Sequence, residues 1–588
     1  MNEFSILLVS VLLNNLGQIS GSDLPRASFF GIRHPNGTYV DVDGPAYTEI
    51  NNQPWINAAP DDASSIKLEV WPSTVKSGEL VTVLWQGVKD PQEKDYIAYY
   101  CPFYDAVARH YIDYFYVGYA TGWQKGYGHY QVRVYNMRQS CVFKYYRRTP
   151  KANVLSATSN KLDFADGGPE APTHGHIAMT NDPTQMRVMW VSGEVTHPPV
   201  VNYGTTKDLE MKENAYIIHT YTKDMMCHAP ASTTKFWHPG ITYDVLLTNL
   251  KPNTFYYYSF GTEKYMSHVA NFTTPLPKGD HTPYKFIIYG DMGTLSVDYP
   301  RPFTTAQLVH KEVTNGARFV AHIGDISYAE GWAYYWDIWG PLIEPYATLV
   351  PYMVTIGNHE YDHTSGGRGR DPSGVDTDAG WKPSWFPGTY DSGGECAVPM
   401  FHRYHMPENG NSMFWYSYDY GMLHMVMFSC EHDFTVGSEQ YKWLENDLKK
   451  VDRKKTPWLM VGAHRPMYTS EQYDTDIRTG KHMQEHLEPL FYKHRVDVAY
   501  WAHQHTHERS CKMYKKKCVE DGIMHVIIGN AGRSLDTHGY NKESWSVARV
   551  REYGFGRVTL ANATSMLFEM IGNRHYNVRS SVWLHKEV

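Results

Sequence analysis

A chain of 588 residues is too long for one hydrophobic core and implies several domains. Its 42% hydrophobic and 20% charged residues mark a globular protein rather than a disordered one, and a formal net charge of -7 excludes a nucleic-acid backbone as the main partner. Aromatic residues make up 14%, with 46 tyrosines, a usage that suits β-rich domains.

Residues 1–22 read as a signal peptide, with the apolar run Phe4–Leu13 followed by small residues from Ser20 to Ser22. That run is too short to span a membrane, and no later segment offers about 18 uninterrupted apolar residues. The expected location is therefore extracellular, or a lysosome- or vacuole-like compartment reached by the secretory route. Glycosylation sequons at Asn36, Asn271 and Asn562 fit that route. So do seven cysteines: Cys101 with Cys141 is placed to staple a first sandwich, and Cys511 with Cys518 to close a Lys-rich hairpin. Cys227, Cys396 and Cys430 are left unassigned.

Residues 23–160 are expected to form an N-terminal extension and a first antiparallel β-sandwich. Short alternating runs such as Lys67–Trp71, Leu80–Trp85, Tyr96–Tyr100, Tyr130–Tyr135 and Val142–Tyr146 recur there between turn signals. Residues 165–276 carry a second strand series, including Gln185–Val191 and Phe255–Ser259, expected to be a fibronectin type III-like sandwich. From residue 283 to 588 apolar strands alternate with amphipathic helices, among them 304–314, 333–346, 438–451 and 483–494, which predicts an α/β domain of βαβ units. Residues 364–395, rich in Gly, Asp and Pro, read as a mobile flap or insertion beside the site.

Five strands of this last domain end in potential ligands: Gly290-Asp-Met-Gly293, Gly324-Asp-Ile-Ser-Tyr328, Gly357-Asn-His-Glu360, Val461-Gly-Ala-His464 and Ala502-His-Gln-His505. Ligands gather at the carboxyl ends of strands in such sheets. Asp291, Asp325, Asn358, His464, His503 and His505 supply oxygen and imidazole donors without thiolates, a set suited to iron, zinc or manganese. On an extended segment His503 and His505 project to one side and reach two adjacent ions, with Asp325 able to bridge. Tyr328, with an ordinary pKa near 10, needs a cation as acidic as ferric iron to become a phenolate.

Taken together these motifs resemble the purple acid phosphatases, within the calcineurin-like metallophosphoesterases, and most closely the large plant-type subgroup with an extra N-terminal domain. Asp391-Ser-Gly-Gly-Glu-Cys396, Gly462–Tyr468 and His486–Phe491 add to the likeness, which covers most of the chain from Ile66. The resemblance implies Fe(III) on Asp291, Asp325, Tyr328 and His505. It implies a divalent ion (zinc, manganese or iron) on Asp325, Asn358, His464 and His503. Asn358 and His359 would face the substrate, with His359 as the catalytic general acid. The implied activity is that of a secreted acid phosphatase hydrolysing small phosphate monoesters by in-line attack of a metal-bound hydroxide, and homodimerisation is implied by resemblance alone.

Three departures stand out. Ala502 replaces the Gly that usually precedes the first histidine, and would be strained at positive φ. Thr506 and His507 follow the second histidine, and His507 is a competing ligand or an outward-facing residue. The smaller plant enzymes carry a substrate-binding histidine pair after the Val-x-x-His motif, where this chain has Glu471–Asp476. Alternative readings are a nucleotide pyrophosphatase or phosphodiesterase on the same centre, a catalytically weak metal-binding extracellular protein, and dinuclear-iron redox chemistry.

Overall fold

The computed structural model describes residues 66–104, 111–165, 167–193, 195–294, 301–361, 372–375, 381, 383–385 and 391–587. The signal peptide, the N-terminal extension, Asn36 and most of the expected flap lie outside these residues.

The first sandwich pairs a three-stranded sheet (Lys67–Trp71, Leu80–Gln86, Gly128–Arg133) with a four-stranded one (Asp113–Tyr116, Tyr96–Tyr100, Val142–Arg148, Asn153–Thr158), all antiparallel. Strand Lys67–Trp71 alternates between exposed and buried positions, so Leu68 and Val70 enter a core with Val83, Trp85, Ile97 and Phe143. The second sandwich has two four-stranded antiparallel sheets. One contains Thr173–Ala178, Met186–Ser192, Ile241–Leu247 and Ile217–His219, and the other Met211–Glu213, Pro199–Gly204, Phe255–Thr262 and Ala270–Thr273. Trp190 fills its centre against Tyr243 and Phe260.

The third domain packs two mixed sheets. In one, Tyr284–Tyr289, Ala317–Ile323 and Tyr352–Thr355 run parallel, and in the other Leu423–Met427, Trp458–Gly462, Val498–Trp501 and Ile523–Ile528 do so. Helices Arg301–Thr314, Tyr334–Ala347 and Glu439–Lys450 lie between strands of these parallel sets, as the sequence pattern implies. The C-terminal part departs from that pattern: Gly554–Leu560, Ser565–Gly572 and Asn577–His585 extend the first sheet as antiparallel strands. Short connections suffice for antiparallel neighbours, so no crossover helix is required. The helix expected over 483–494 is two helices, Asp474–His486 and Glu488–Lys493. Pro489, which has no N–H to donate, starts the second.

Helix Tyr334–Ala347 ties the three domains together. Its buried Asp337 accepts two hydrogen bonds from Arg138 of the first sandwich, at 2.6 and 3.0 Å. Its Glu344 accepts from the His174 backbone of the second, at 3.0 Å. The disulfides Cys101–Cys141 and Cys511–Cys518 are formed, and Cys227–Cys396 fastens the second sandwich to the third domain, leaving Cys430 a buried thiol.

Candidate metal centre

The five motifs meet at the carboxyl ends of Tyr284–Tyr289, Ala317–Ile323, Tyr352–Thr355, Trp458–Gly462 and Val498–Trp501, strands drawn from both sheets. Four of the seven singled-out donors, Asp291, Asp325, Tyr328 and His503, occupy left-handed backbone, with φ between 50° and 67°. Such conformations are costly for non-glycine residues, and the surrounding hydrogen bonds hold them. Glu360 is the main clamp: its buried carboxylate accepts from the backbone N–H of Asp325 (2.9 Å), Ile326 (2.8 Å) and Gly357 (2.9 Å). At Gly357 a Cβ would lie 2.2 Å from Asp325 Oδ1, so only glycine lets this turn approach the carboxylate.

Two clusters of donor atoms result. In the first, Tyr328 Oη lies 3.0 Å from Asp291 Oδ1 and 2.9 Å from His505 Nε2, and the last two atoms are 3.4 Å apart. In the second, His464 Nε2 lies 3.0 Å from Asn358 Oδ1, 3.2 Å from Asp325 Oδ2 and 3.2 Å from His503 Nδ1. His464 Nε2 is also 3.9 Å from Asp291 Oδ1, so the clusters adjoin.

The outer atoms of the same side chains are already committed. His464 Nδ1 donates to the Ile323 carbonyl at 3.1 Å, and His505 Nδ1 to that of Ser534. His503 Nε2 donates to Asp476 at 3.1 Å, and Asn358 Nδ2 to Asp391 at 2.9 Å. Each outer bond consumes the side chain's N–H and turns a bare nitrogen or carbonyl oxygen inward. Inward-facing acceptors this close repel one another unless a proton or metal lies between them. Burial opposes charging of His464, but Asp325 and Asp291 outweigh it and lift its pKa to about 10, the response of a site that calls for positive charge. Burial, Asp291 and Asp325 push the Tyr328 phenol well above its ordinary value, so only a strongly acidic cation would make it a phenolate. The donors, their number and their orientation fit two metal ions.

His359 stands at the edge of this group, its ring tilted over Tyr328 at 4.3 Å between centroids. Its Nδ1 is 3.1 Å from Glu330 Oε1 and its Nε2 3.9 Å from Asp325 Oδ2. Burial disfavours the imidazolium, yet Asp325, Glu330 and Asp391 raise its pKa to about 9.

Several sequence readings are corrected here. The Ala502–Thr506 segment is no extended strand: it folds into consecutive tight turns, with Gln504 N–H on the Ala502 carbonyl (2.8 Å) and Thr506 N–H on that of Gln504 (2.7 Å). Left-handed φ falls on His503 rather than on Ala502, whose methyl packs where Gly290 leaves room. His507 neither reaches the donors nor faces outward: it is buried, bonded to the Ile527 carbonyl at 2.9 Å and stacked on Phe568. Glu360, Asp391 and Asp476 all lie in stretches that stand out in the sequence, but their roles in holding the donors come only from the fold. Glu330, five residues past Asp325, carried no motif signal. Asn271 is half-buried in strand Ala270–Thr273, and Asn562 is exposed in a turn.

A two-sheet α/β domain with this convergence at its strand ends is that of a metallophosphoesterase. Residues 284–507 match the calcineurin-like phosphoesterase model, 172–274 the purple acid phosphatase N-terminal domain and 522–581 the iron/zinc purple acid phosphatase-like C-terminal domain. A protein named probable inactive purple acid phosphatase 9, from Arabidopsis thaliana, is 32% identical over 88% of this chain and 85% of its own. A nucleotide pyrophosphatase/phosphodiesterase from Hordeum vulgare is 33% identical over 54% of this chain and 87% of its own. The structure of the purple acid phosphatase PPD1 from yellow lupin superposes with a TM-score of 0.78 at 26% identity, covering 89% of this chain and 96% of that one. The chain belongs to the purple acid phosphatase family.

Proposed function

We propose that this protein is a secreted, dinuclear-metal acid phosphatase acting on phosphate monoesters. Fe(III) would be held by Asp291, Asp325, Tyr328 and His505, and a divalent zinc, manganese or iron ion by Asp325, Asn358, His464 and His503. The observation that carries this reading is the inward crowding of bare acceptors whose outer atoms are all committed. When bound, the ions supply Lewis acidity and lower the pKa of water, the chemistry that phosphoester hydrolysis in acid requires.

The chain's own residues do the rest. Asp391 fixes the Asn358 amide so that its oxygen faces inward, and Asp476 fixes the His503 ring. His359, protonated and half-exposed beside Tyr328, is placed to hand its proton to the leaving alkoxide. Where smaller plant relatives have their histidine pair, Asp476 spends its carboxylate on His503 and, at 3.0 Å, on Gln504. Substrate capture therefore rests on a different set of groups here, which leaves room for a second reading. The barley relative's name supports a nucleotide pyrophosphatase or phosphodiesterase on the same centre.

The test measures turnover of an aryl phosphate, an aryl diester and a dinucleotide on protein of known metal content. Fastest cleavage of the monoester upholds the proposal, and fastest cleavage of the diester or dinucleotide replaces it with the second reading. No cleavage by a fully loaded protein makes it a metal-binding protein of weak or no catalysis, in keeping with the words probable inactive in the name of the Arabidopsis relative.

A further inference from the structure

We propose that Glu471, Asp536 and His538 form a third cation site, outside the dinuclear centre, that takes one divalent ion of the manganese or zinc class and braces the loop holding His505. One ligand atom from each residue lies within 4.8 Å of the others. Two carboxylates and an imidazole are a donor set of the same kind as those of the centre itself.

The site is built by two loops laced through the backbone. Glu471 lies between strand Trp458–Gly462 and helix Asp474–His486, and Asp536 and His538 follow strand Ile523–Ile528. Gln472 N–H donates to the Gly539 carbonyl at 2.8 Å and Asn541 N–H to that of Ser470 at 2.6 Å, and Glu471 pairs with Tyr540 across the bridge. His538 is steadied by stacking on Tyr473, with 5.1 Å between ring centroids.

Glu471 is what requires a ligand. Its side chain is 0% exposed, and neither carboxylate oxygen has a hydrogen-bond partner. Leaving a buried carboxylate in that state is expensive, and burial together with nearby Asp536 lifts its pKa to about 8. The nearest cationic groups stand off: His538 Nδ1 and Arg551 Nη2 are each 3.6 Å from Oε1, and the Arg551 guanidinium lies over the Tyr540 ring at 4.5 Å. Asp476 and Glu508 also face Glu471, but they are already engaged, Asp476 by His503 and Gln504 and Glu508 by Arg549 at 3.4 Å, which leaves Glu471 and Asp536 with Arg551 and His538. A divalent ion between Glu471, Asp536 and His538 would satisfy the two bare oxygens of Glu471.

Asp536 links the site to the centre. Its carboxylate accepts the His505 backbone N–H at 2.7 Å, its own N–H bonds the His505 carbonyl at 3.3 Å, and Ser534 two residues earlier accepts the His505 ring. An ion on Asp536 would therefore stiffen the frame in which His505 sits.

The experiment counts metal by mass spectrometry and titrates Mn(II), followed by electron paramagnetic resonance, into full-length protein with its dinuclear centre filled. Wild type should bind one more Mn(II) per chain than Glu471→Gln or His538→Ala, whose visible spectra should match wild type. Equal counts in wild type and both variants would overturn the proposal. His538 is half-exposed, so His538→Ala keeps the test valid if Glu471→Gln fails to fold. A chain with no visible band that still loses one ion in both variants would sink the dinuclear assignment and leave the third site standing. A purple chain whose count the variants do not change would do the reverse.

Discussion

Two histidine–carboxylate clusters in the third domain look alike in composition and differ in what they need. At His424 each ring nitrogen has its own carboxylate, Asp419 at 2.7 Å and Asp447 at 2.9 Å, so a single proton closes the cluster as an ion pair. At His464 the outer nitrogen is spent on a carbonyl, while the inner one meets Asn358 Oδ1, Asp325 Oδ2 and His503 Nδ1 within 3.0–3.2 Å. The first arrangement is complete without a ligand, and the second is complete only with a cation. Counting histidines and acids would not separate them. The direction of each ring nitrogen does.

The largest effects should come from opening the second cluster. Asp325→Asn or His503→Ala should abolish hydrolysis, lowering turnover by about 10³-fold or more, with metal content falling below that of wild type. Near-native turnover with native metal content in either variant would refute the ligand assignment. Glu360→Ala removes the acceptor of three buried backbone N–H groups. It should cost on the order of 3 kcal/mol in denaturant unfolding and weaken metal retention, with Glu360→Gln recovering part of both. His359→Gln should slow esters with poor leaving groups about 10²-fold and aryl phosphates much less, at unchanged metal content. Equal losses on both substrate types would remove its general-acid role.

The closed cluster gives a pH test with a definite sign. Burial opposes charging of His424, but Asp419 and Asp447 raise its folded pKa to about 9, above the ordinary 6.5. The stability it adds is therefore fully present below pH 6.5 and lost as pH rises through about 9. The difference in unfolding free energy between wild type and His424→Gln should be on the order of 2 kcal/mol at pH 6 and shrink by pH 9.5. A pH-independent difference would mean the ring is held by shape alone. The smallest change is Ala502→Gly. Because φ there is not left-handed, restoring glycine relieves no strain, and the loss of a buried methyl should lower stability by about 1 kcal/mol.

All seven proposed donors stand out in the sequence because they follow the ends of five apolar strands, a local pattern that survives without knowledge of the fold. The residues that aim them could not. Asp391, Asp476 and Ser534 reach Asn358, His503 and His505 across 33, 27 and 29 positions respectively, and although Asp391 and Asp476 lie in conspicuous stretches, nothing local says which donor each one aims. Left-handed backbone at four donors was likewise invisible, since Asp and His visit positive φ more than most residues but still seldom, and Tyr less often again. The sandwiches and the parallel strands followed from alternation and apolar runs. The C-terminal antiparallel strands lacked helical punctuation, and the Cys227–Cys396 bridge joins domains whose contact no spacing encodes.

The proposed two-metal centre stands or falls on whether Tyr328 completes a ferric site. Its most direct test is the visible absorption spectrum of purified protein, read with its metal content, for wild type and Tyr328→Phe. The expected result is a purple charge-transfer band, lost in Tyr328→Phe, with two metals per chain in the centre and a third where the Glu471 site is filled. A colourless wild-type protein carrying two zinc or manganese ions would contradict the ferric half. A colourless, metal-free protein, prepared so that metal is not stripped, would contradict the centre as a whole.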